Sequence, residues 1–333
     1  MDKNITNLIK FICCLLIFFH HYFILEIMVS AWGRIACSVF FFLSAYGVCK
    51  SLQRSKYGFI IYSQKRLSKI YLPYVLINIL AILGGGFLIG DFVIPEYKLI
   101  GHEIFFLKDF SLFTLINYTA GFNKIDGAMW FLDVLLISYV FIWFIEGLSS
   151  KWMRLFLAIT IPVILLILDR VLNTSWICMW PTDTIGIIAG IIYFEFESKF
   201  NQFIMKYYKM VLTFAILLWI LFVGLYTLGL NSPFVAWRYM EMTILLYSFF
   251  SICIVICLSL KIKVNHPSMC SFLGGVSFFV YLSHIKVIDV LAYFQFKPLV
   301  AYAFVFVLLT SIFLYYGNSI IQKTIWTKHI QQS

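Results

Sequence analysis

Residues 5–25 read ITNLIKFICCLLIFFHHYFIL, an apolar run interrupted by one lysine and two histidines and containing no acid. As a helix it is long enough to cross roughly 30 Å of hydrocarbon. It contains Lys10, lacks a small-residue cleavage site and leads straight into another apolar run, so it reads as a mature membrane helix and not as a secretory signal. Comparable runs recur along the whole chain. They predict spans near 5–25, 31–50, 70–90, 128–146, 152–170, 176–195, 209–230, 240–260, 271–294 and 299–321. Apolar residues make up 62% of the 333 and charged residues only 12%, where a soluble domain carries about 25% charged. Mean hydropathy is +0.95. The short alternating segments of a β-barrel are absent from the pattern. The expected fold is therefore all-α: a polytopic transmembrane helix bundle of about ten spans, with 1–333 as a single membrane domain and the lipid bilayer as its solvent. The stretch 103–120, apolar but broken by Lys108 and Asp109, reads as re-entrant or interfacial.

The eight cysteines form no CxxC pair and lie mainly in apolar segments, so they read as packing residues, with no disulfide framework and no metal site expected. In a soluble protein a net charge of +10 would point to nucleic acid; here the distribution of charge among loops decides, and no nucleic-acid partner is expected. With a cytoplasmic N-terminus, seventeen of the 25 lysines and arginines fall at cytoplasmic ends and loops. The opposite side holds the acid-rich segment 91–127 with Asp91, Glu96, Glu103, Asp109 and Asp126. The positive-inside rule then places both termini in the cytoplasm of a multi-pass cell-membrane protein, with the 50–69 loop on the same side.

Ionisable groups inside hydrocarbon cost roughly 2.5–3.5 kcal/mol each on insertion scales, which marks those within spans as functional candidates. Lys10 and His21 are eleven positions apart, so at about 100° and 1.5 Å per residue they share a face and stand roughly 16 Å apart. Arg34, near the start of the second helix, should lie at a depth similar to His21. Desolvation and a neighbouring guanidinium favour the neutral, basic imidazole, which can accept a hydroxyl proton. Such a histidine can equally be an interhelical hydrogen-bonding group, and Lys10 can equally snorkel towards phosphates. His20, about 100° away, is assigned to packing or to the interface. The run Lys65-Arg66-Leu67-Ser68-Lys69 enters the third helix ahead of Pro73; it is either a topological anchor or a set of donors to a phosphate-bearing cofactor. Ser277, Tyr281 and His284 fall on one helical stripe at i, i+4 and i+7, and Trp130 and Asp133 share a face at i, i+3. Both sets also suit interhelical hydrogen bonding.

Taken in order, these strings resemble the acyltransferase family 3 membrane proteins over essentially the whole length. In that family a basic residue of the first helix, usually arginine, precedes a histidine at the spacing seen here between Lys10 and His21. Arg34 followed by Phe40-Phe41-Phe42-Leu43-Ser44-Ala45-Tyr46-Gly47 resembles R-x-x-V-P-x-F-F-x-x-S-G, with Ser38 for the usual proline or acid and Ala45 for glycine. Lys65 to Pro73 resembles K-R-x-x-R/K-I-x-x-P. Met129-Trp130-Phe131-Leu132 resembles the W-F/Y-L motif without the histidine that commonly precedes it, and Ser277 to His284 is similar to S-x-x-x-Y-L-x-H. The resemblance implies acyl transfer, with acetyl-CoA as donor and a hydroxyl of a cell-surface or exopolysaccharide sugar as acceptor. His21 would act as general base or acyl-accepting nucleophile and Arg34 as oxyanion stabiliser. Lys10, Lys65, Arg66 and Lys69 would hold the CoA phosphates. Trp130, Asp133, Ser277, Tyr281 and His284 become the substrate-binding candidates. The reading from a different class is a transporter or flippase for a lipid-linked saccharide, which internal repeats would favour; none is evident. A non-enzymatic scaffold would leave the titratable residues within spans unexplained.

Overall fold

The computed structural model describes residues 1–23, 30–55, 58–89, 93–96, 103–106, 116, 130–172, 184–230, 237–293 and 300–330. Among them are ten helices: α1 (Lys3–Tyr22), α2 (Ser30–Arg54), α3 (Phe59–Ile89), α4 (Trp130–Glu146), α5 (Lys151–Leu172), α6 (Ile185–Lys206), α7 (Tyr208–Leu230), α8 (Trp237–Lys261), α9 (Pro267–Tyr293) and α10 (Val300–Ile330). Each overlaps one of the ten expected spans. Seven stretches are long and apolar enough on their own to cross a membrane: Lys3–Tyr22, Trp32–Arg54, Phe59–Leu83, Tyr208–Leu228, Met242–Lys261, Pro267–Ile288 and Val300–Lys323. The protein is a multi-pass helical membrane protein.

Three boundaries differ from expectation. Helix α3 begins at Phe59 and carries Pro73 in its interior, so the basic run 65–69 is helical and most of the expected 50–69 loop does not exist. Proline near a predicted helix start looks like a first-turn residue; in membrane helices neighbouring groups re-satisfy the backbone it disrupts, and the helix runs through it. Helix α6 starts at Ile185 and continues to Lys206, well beyond the expected end at 195. Its polar residues Glu195 and Glu197 are neutralised by ion pairs described below, so the drop in hydropathy there does not end the helix. Within 91–127, strands β1 (Val93–Glu96) and β2 (Glu103–Phe106) pair antiparallel, Val93 opposite Phe106 and Glu96 opposite Glu103. The expected re-entrant or interfacial stretch at 103–120 thus opens as a strand rich in β-formers; most of its remainder lies outside the described residues.

The chain divides into two compact units, Met1–Phe59 with Asp133–Gly274, and Ile60–Leu132 with Gly275–Ser333. In the first, α2 is central and packs on α1, α6, α7 and α8. Its contact with α6 is a backbone approach through Gly186 and Gly190. A β-carbon at Gly186 would stand 2.0 Å from the Ser38 carbonyl oxygen, and one at Gly190 2.6 Å from that of Phe42 and 2.8 Å from Ala45 Cβ. Small residues four apart let membrane helices approach this closely, and Ser38 and Ala45 supply the matching small surface on α2. Helices α7 and α8 are joined by the Trp219 indole, which donates to Ser251 Oγ at 2.8 Å, and by the core around Ile35, Tyr226, Ile244 and Tyr247. The outer face of α7, with Phe214, Leu217, Ile220 and Leu221 exposed, is apolar as a lipid-facing surface must be.

In the second unit, α9 and α10 meet where Gly275 lies against the Tyr315 ring and where Ser283 and Ser311 approach to 3.0 Å. Ser311 donates to the Val307 carbonyl at 2.6 Å, so its oxygen accepts the Ser283 proton. Helix α10 also reaches α3, Gln322 donating to the Ser68 carbonyl oxygen at 3.1 Å. Seven of the eight cysteines lie in described residues and are free thiols; Cys178 falls outside them.

Candidate functional site

Asp2 caps α1, its carboxylate accepting from Asn4 N at 2.8 Å and Ile5 N at 3.2 Å. The helix buries Ile5, Cys13, Cys14, Ile17 and Phe18. Lys10, Cys14, Ile17 and His21 follow one another at i, i+4, i+7 and i+11, so the stripe that carries the lysine and the histidine is the stripe that buries Cys14 and Ile17. Both polar residues are half-buried. His21 Nδ1 lies 3.0 Å from the Ile17 carbonyl oxygen. A carbonyl only accepts, so Nδ1 carries a proton, and in the neutral ring Nε2 is the nitrogen with the lone pair.

The adjoining histidine has a different setting. A β-carbon at Gly33 would stand 2.4 Å from the His20 ring, so His20 packs directly against Gly33 where α1 meets α2. His20 and His21 rings meet edge to face at 4.9 Å. His20, expected at packing or at the interface, packs on Gly33 of α2, and His21 and Arg34 each adjoin a residue of that contact in the chain.

The second unit gathers another set. Ser277, Tyr281 and His284 are all buried, His284 completely. His284 Nδ1 donates to the Tyr281 carbonyl at 2.6 Å, which again leaves Nε2 as the basic nitrogen. Ring contacts run from Trp130 to Phe131 at 6.2 Å, from Phe131 to Tyr281 at 5.3 Å and from Tyr281 to His284 at 5.9 Å. Lys65, Arg66 and Lys69 lie on α3, with the Arg66 guanidinium 5.3 Å from the Tyr62 ring centre one turn back. Lys10, His21, Arg34 and Asp133 thus belong to the first unit, and Lys65, Arg66, Lys69, Trp130, Ser277, Tyr281 and His284 to the second.

Two charged features escaped the sequence reading. Lys286 is buried on α9, donating to the Leu282 carbonyl at 3.3 Å; a lysine inside an apolar run, two residues after a candidate histidine, was a readable signal. The other is a carboxylate pair on α6. Arg154 grips Glu195 with two donors, Nε to Oε1 at 2.6 Å and Nη2 to Oε2 at 3.2 Å, while Nη1 donates to the Leu148 carbonyl at 2.8 Å. Phe196 is non-helical, and the interrupted ladder leaves the Glu195 carbonyl to accept from Lys151, whose ammonium sits 3.6 Å over the Phe196 ring. Beyond this kink Glu197 receives Lys50 at 2.7 Å, the Met1 ammonium at 3.0 Å and the Tyr46 hydroxyl. Lys50, Lys151 and Arg154 thereby bind α6 to α2 and α5.

Burial alone would raise the Glu197 carboxyl, but the hydrogen bonds from Lys50, Tyr46 and the terminal ammonium outweigh it and hold the group at about 2, against an ordinary 4.5. A depressed carboxylate stabilises the fold above its unfolded value, and that contribution is lost as pH falls from about 4.5 towards about 2. Thermal unfolding in detergent across this range should show the wild type losing stability on acidification. Glu197→Gln should be less stable at pH 7 and should lack this acid-dependent component; parallel curves for the two proteins would contradict the assignment.

A family model described as an acyltransferase domain matches residues 5–317, a range that includes every candidate residue named above. Among curated proteins and among solved structures, nothing matches this chain significantly.

Proposed function

The chain belongs to the acyltransferase family 3, and from that membership we propose that this membrane acyltransferase moves an acetyl group from acetyl-CoA to a hydroxyl of a cell-surface saccharide. The observation that carries the reading is the α1 stripe: Lys10 and His21 share its buried face, and the Ile17 carbonyl holds the His21 ring with Nε2 as its basic atom. His21 removes the acceptor's hydroxyl proton as that oxygen attacks the thioester carbonyl. A C–O bond forms, the C–S bond breaks, and the proton passes from the imidazolium to the departing CoA thiolate, giving ester and free thiol. Should His21 instead accept the acyl group itself, the reacting atom is the same Nε2. Arg34 stabilises the oxyanion. Lys10, Lys65, Arg66 and Lys69 bind CoA phosphates, and Trp130, Asp133, Ser277, Tyr281 and His284 bind the acceptor.

In this account both termini are cytoplasmic and the donor arrives from the basic side of the cell membrane. The roughly 16 Å between Lys10 and His21 is of the order of an extended pantetheine arm, so phosphates held at the lysine present the thioester to the imidazole. Single cysteines in a cysteine-free background test the orientation. Position 60 should label only after the cell is opened, and position 100 in intact cells; the reverse pattern would remove the cytoplasmic donor route. The function itself is tested by analysing surface-glycan acetyl esters in cells with and without the gene. Ester content should fall on deletion and return with the wild-type gene. Unchanged esters, with altered export of the saccharide, would favour the flippase.

A further inference from the structure

The end of α6 with its turn into α7, and the connection from α8 to α9, collect basic residues with no acid among them. Lys199, Lys206 and Lys209 belong to the first and Lys261 and Lys263 to the second, and the sequence has neither Asp nor Glu from 198 to 240 or from 242 to 288. All five lysines are exposed. The fold of the first unit brings the two segments together: the Lys261 ammonium stands 5.2 Å from the centre of the Tyr208 ring, and that of Lys206 stands 5.1 Å from the Tyr207 ring. Among the described residues none of the five enters an ion pair, in contrast to Lys50, Lys151 and Arg154, which are taken up by the α6 glutamates.

Lysines at the end of a membrane helix need no ligand, because the positive-inside rule alone accounts for them. The apolar side chains around them are a different matter. Phe203, Met205, Tyr207, Met210, Ile262 and Met269 are all exposed between and beside the lysines, a patch that water would not favour. Its depth explains it. The apolar stretch of α7 begins at Tyr208 and that of α8 ends at Lys261, so two neighbouring spans leave the hydrocarbon at the level of this cluster. Beyond the break at Phe196, α6 buries Ile204 and exposes Phe200, Phe203 and Tyr207 together with Lys199 and Lys206. Such a segment suits the membrane interface, its apolar side chains entering the acyl boundary while the lysine stems carry ammonium groups up to the phosphates. A soluble phosphate would use the cations and leave the apolar side chains in water. A phospholipid engages both.

We propose that this face binds anionic phospholipid headgroups, with Lys206, Lys209, Lys261 and Lys263 holding the phosphates and Phe203, Tyr207 and Met210 resting among the first methylenes of the acyl chains. Headgroup binding here requires neither the acyl-CoA donor nor a particular orientation, since a nanodisc presents lipid on both faces. The full chain is placed in nanodiscs of mixed phosphatidylglycerol and phosphatidylcholine, with a trace of one lipid or the other carrying a photoreactive diazirine at the headgroup end of its acyl chain. Adducts are mapped by peptide mass spectrometry. Within 199–210 and 261–269 they should form at least about fivefold more often with the phosphatidylglycerol probe, the effect of a single lysine at an anionic surface, and the excess should shrink as salt rises. Replacing exposed lysines leaves the core intact, so the combined variant Lys206→Gln, Lys209→Gln, Lys261→Gln and Lys263→Gln should keep the wild-type melt and label equally with the two probes at these positions. Equal labelling by the two probes on the wild type, a measurement that needs no variant to fold, would reduce the face to ordinary hydrocarbon contact and overturn the site. A preference that survives the combined substitution would overturn it as well. Loss of the preference in inorganic phosphate, but not in chloride at equal ionic strength, would assign the lysines to a soluble anion instead.

Discussion

His21→Ala should lower acyl transfer by about 10²–10⁴-fold, the range supplied by a positioned general base, while the protein still inserts and accumulates; His20→Ala should retain substantial activity. The two residues are adjacent in sequence and share a ring contact, so a difference between them isolates chemistry from packing. His21 lies on the stripe of α1 that buries Cys14 and Ile17, with its Nδ1 committed to a backbone carbonyl and its Nε2 basic. His20 instead fills the space over Gly33, where a shorter side chain removes contacts between α1 and α2 but no reacting atom. Its replacement should therefore appear as a lower unfolding temperature with kcat largely kept. The measurement is steady-state transfer by matched amounts of each purified protein in nanodiscs, beside a thermal melt. Equal loss of activity from the two substitutions would make the pair structural and exclude His21 as the base.

Lys10→Gln and Arg66→Gln should each raise the KM for acyl-CoA by about tenfold and leave the acceptor KM close to wild type, whereas Arg34→Gln should lower kcat by about 10²–10³-fold. On the proposed roles, the first two changes would remove a charge directed at phosphates in the bound donor, an interaction present in ground and transition states alike. An oxyanion contact exists mainly in the transition state, so its loss is read in kcat. Arg66 offers an internal check because its guanidinium also packs on Tyr62: Arg66→Lys keeps the charge but loses the planar stacking surface. A KM restored by lysine assigns the role to charge. Unchanged donor KM in both Gln variants would make these cations topological anchors.

Ten helices were legible because crossing the membrane demands a long apolar run, and that demand is written directly in sequence. Where the ends were misjudged, tertiary contacts intervened. Pro73 signals a helix start only if nothing else supports the backbone around it. The polar end of α6 resembles a loop only until Lys50, Lys151 and Arg154 are seen to neutralise Glu195 and Glu197. Those partners come from other helices, and no local pattern pairs them. The four-residue strands of the hairpin are too short to stand out in an aromatic-rich segment. For the candidate residues, helical arithmetic sufficed to put Lys10 and His21 on one face and Ser277, Tyr281 and His284 on another. It could not say which faces are buried or which ring nitrogen holds the proton. Both depend on what packs against the helix.

The central claim is tested most directly by supplying the purified chain in nanodiscs with acetyl-CoA labelled in its acetyl group and a saccharide acceptor from the same envelope. The account predicts base-labile label on the acceptor, one free CoA thiol released for each ester formed, and loss of both in His21→Ala. Label that never leaves acetyl-CoA, or an acceptor carried across the bilayer without gaining an ester, would contradict it.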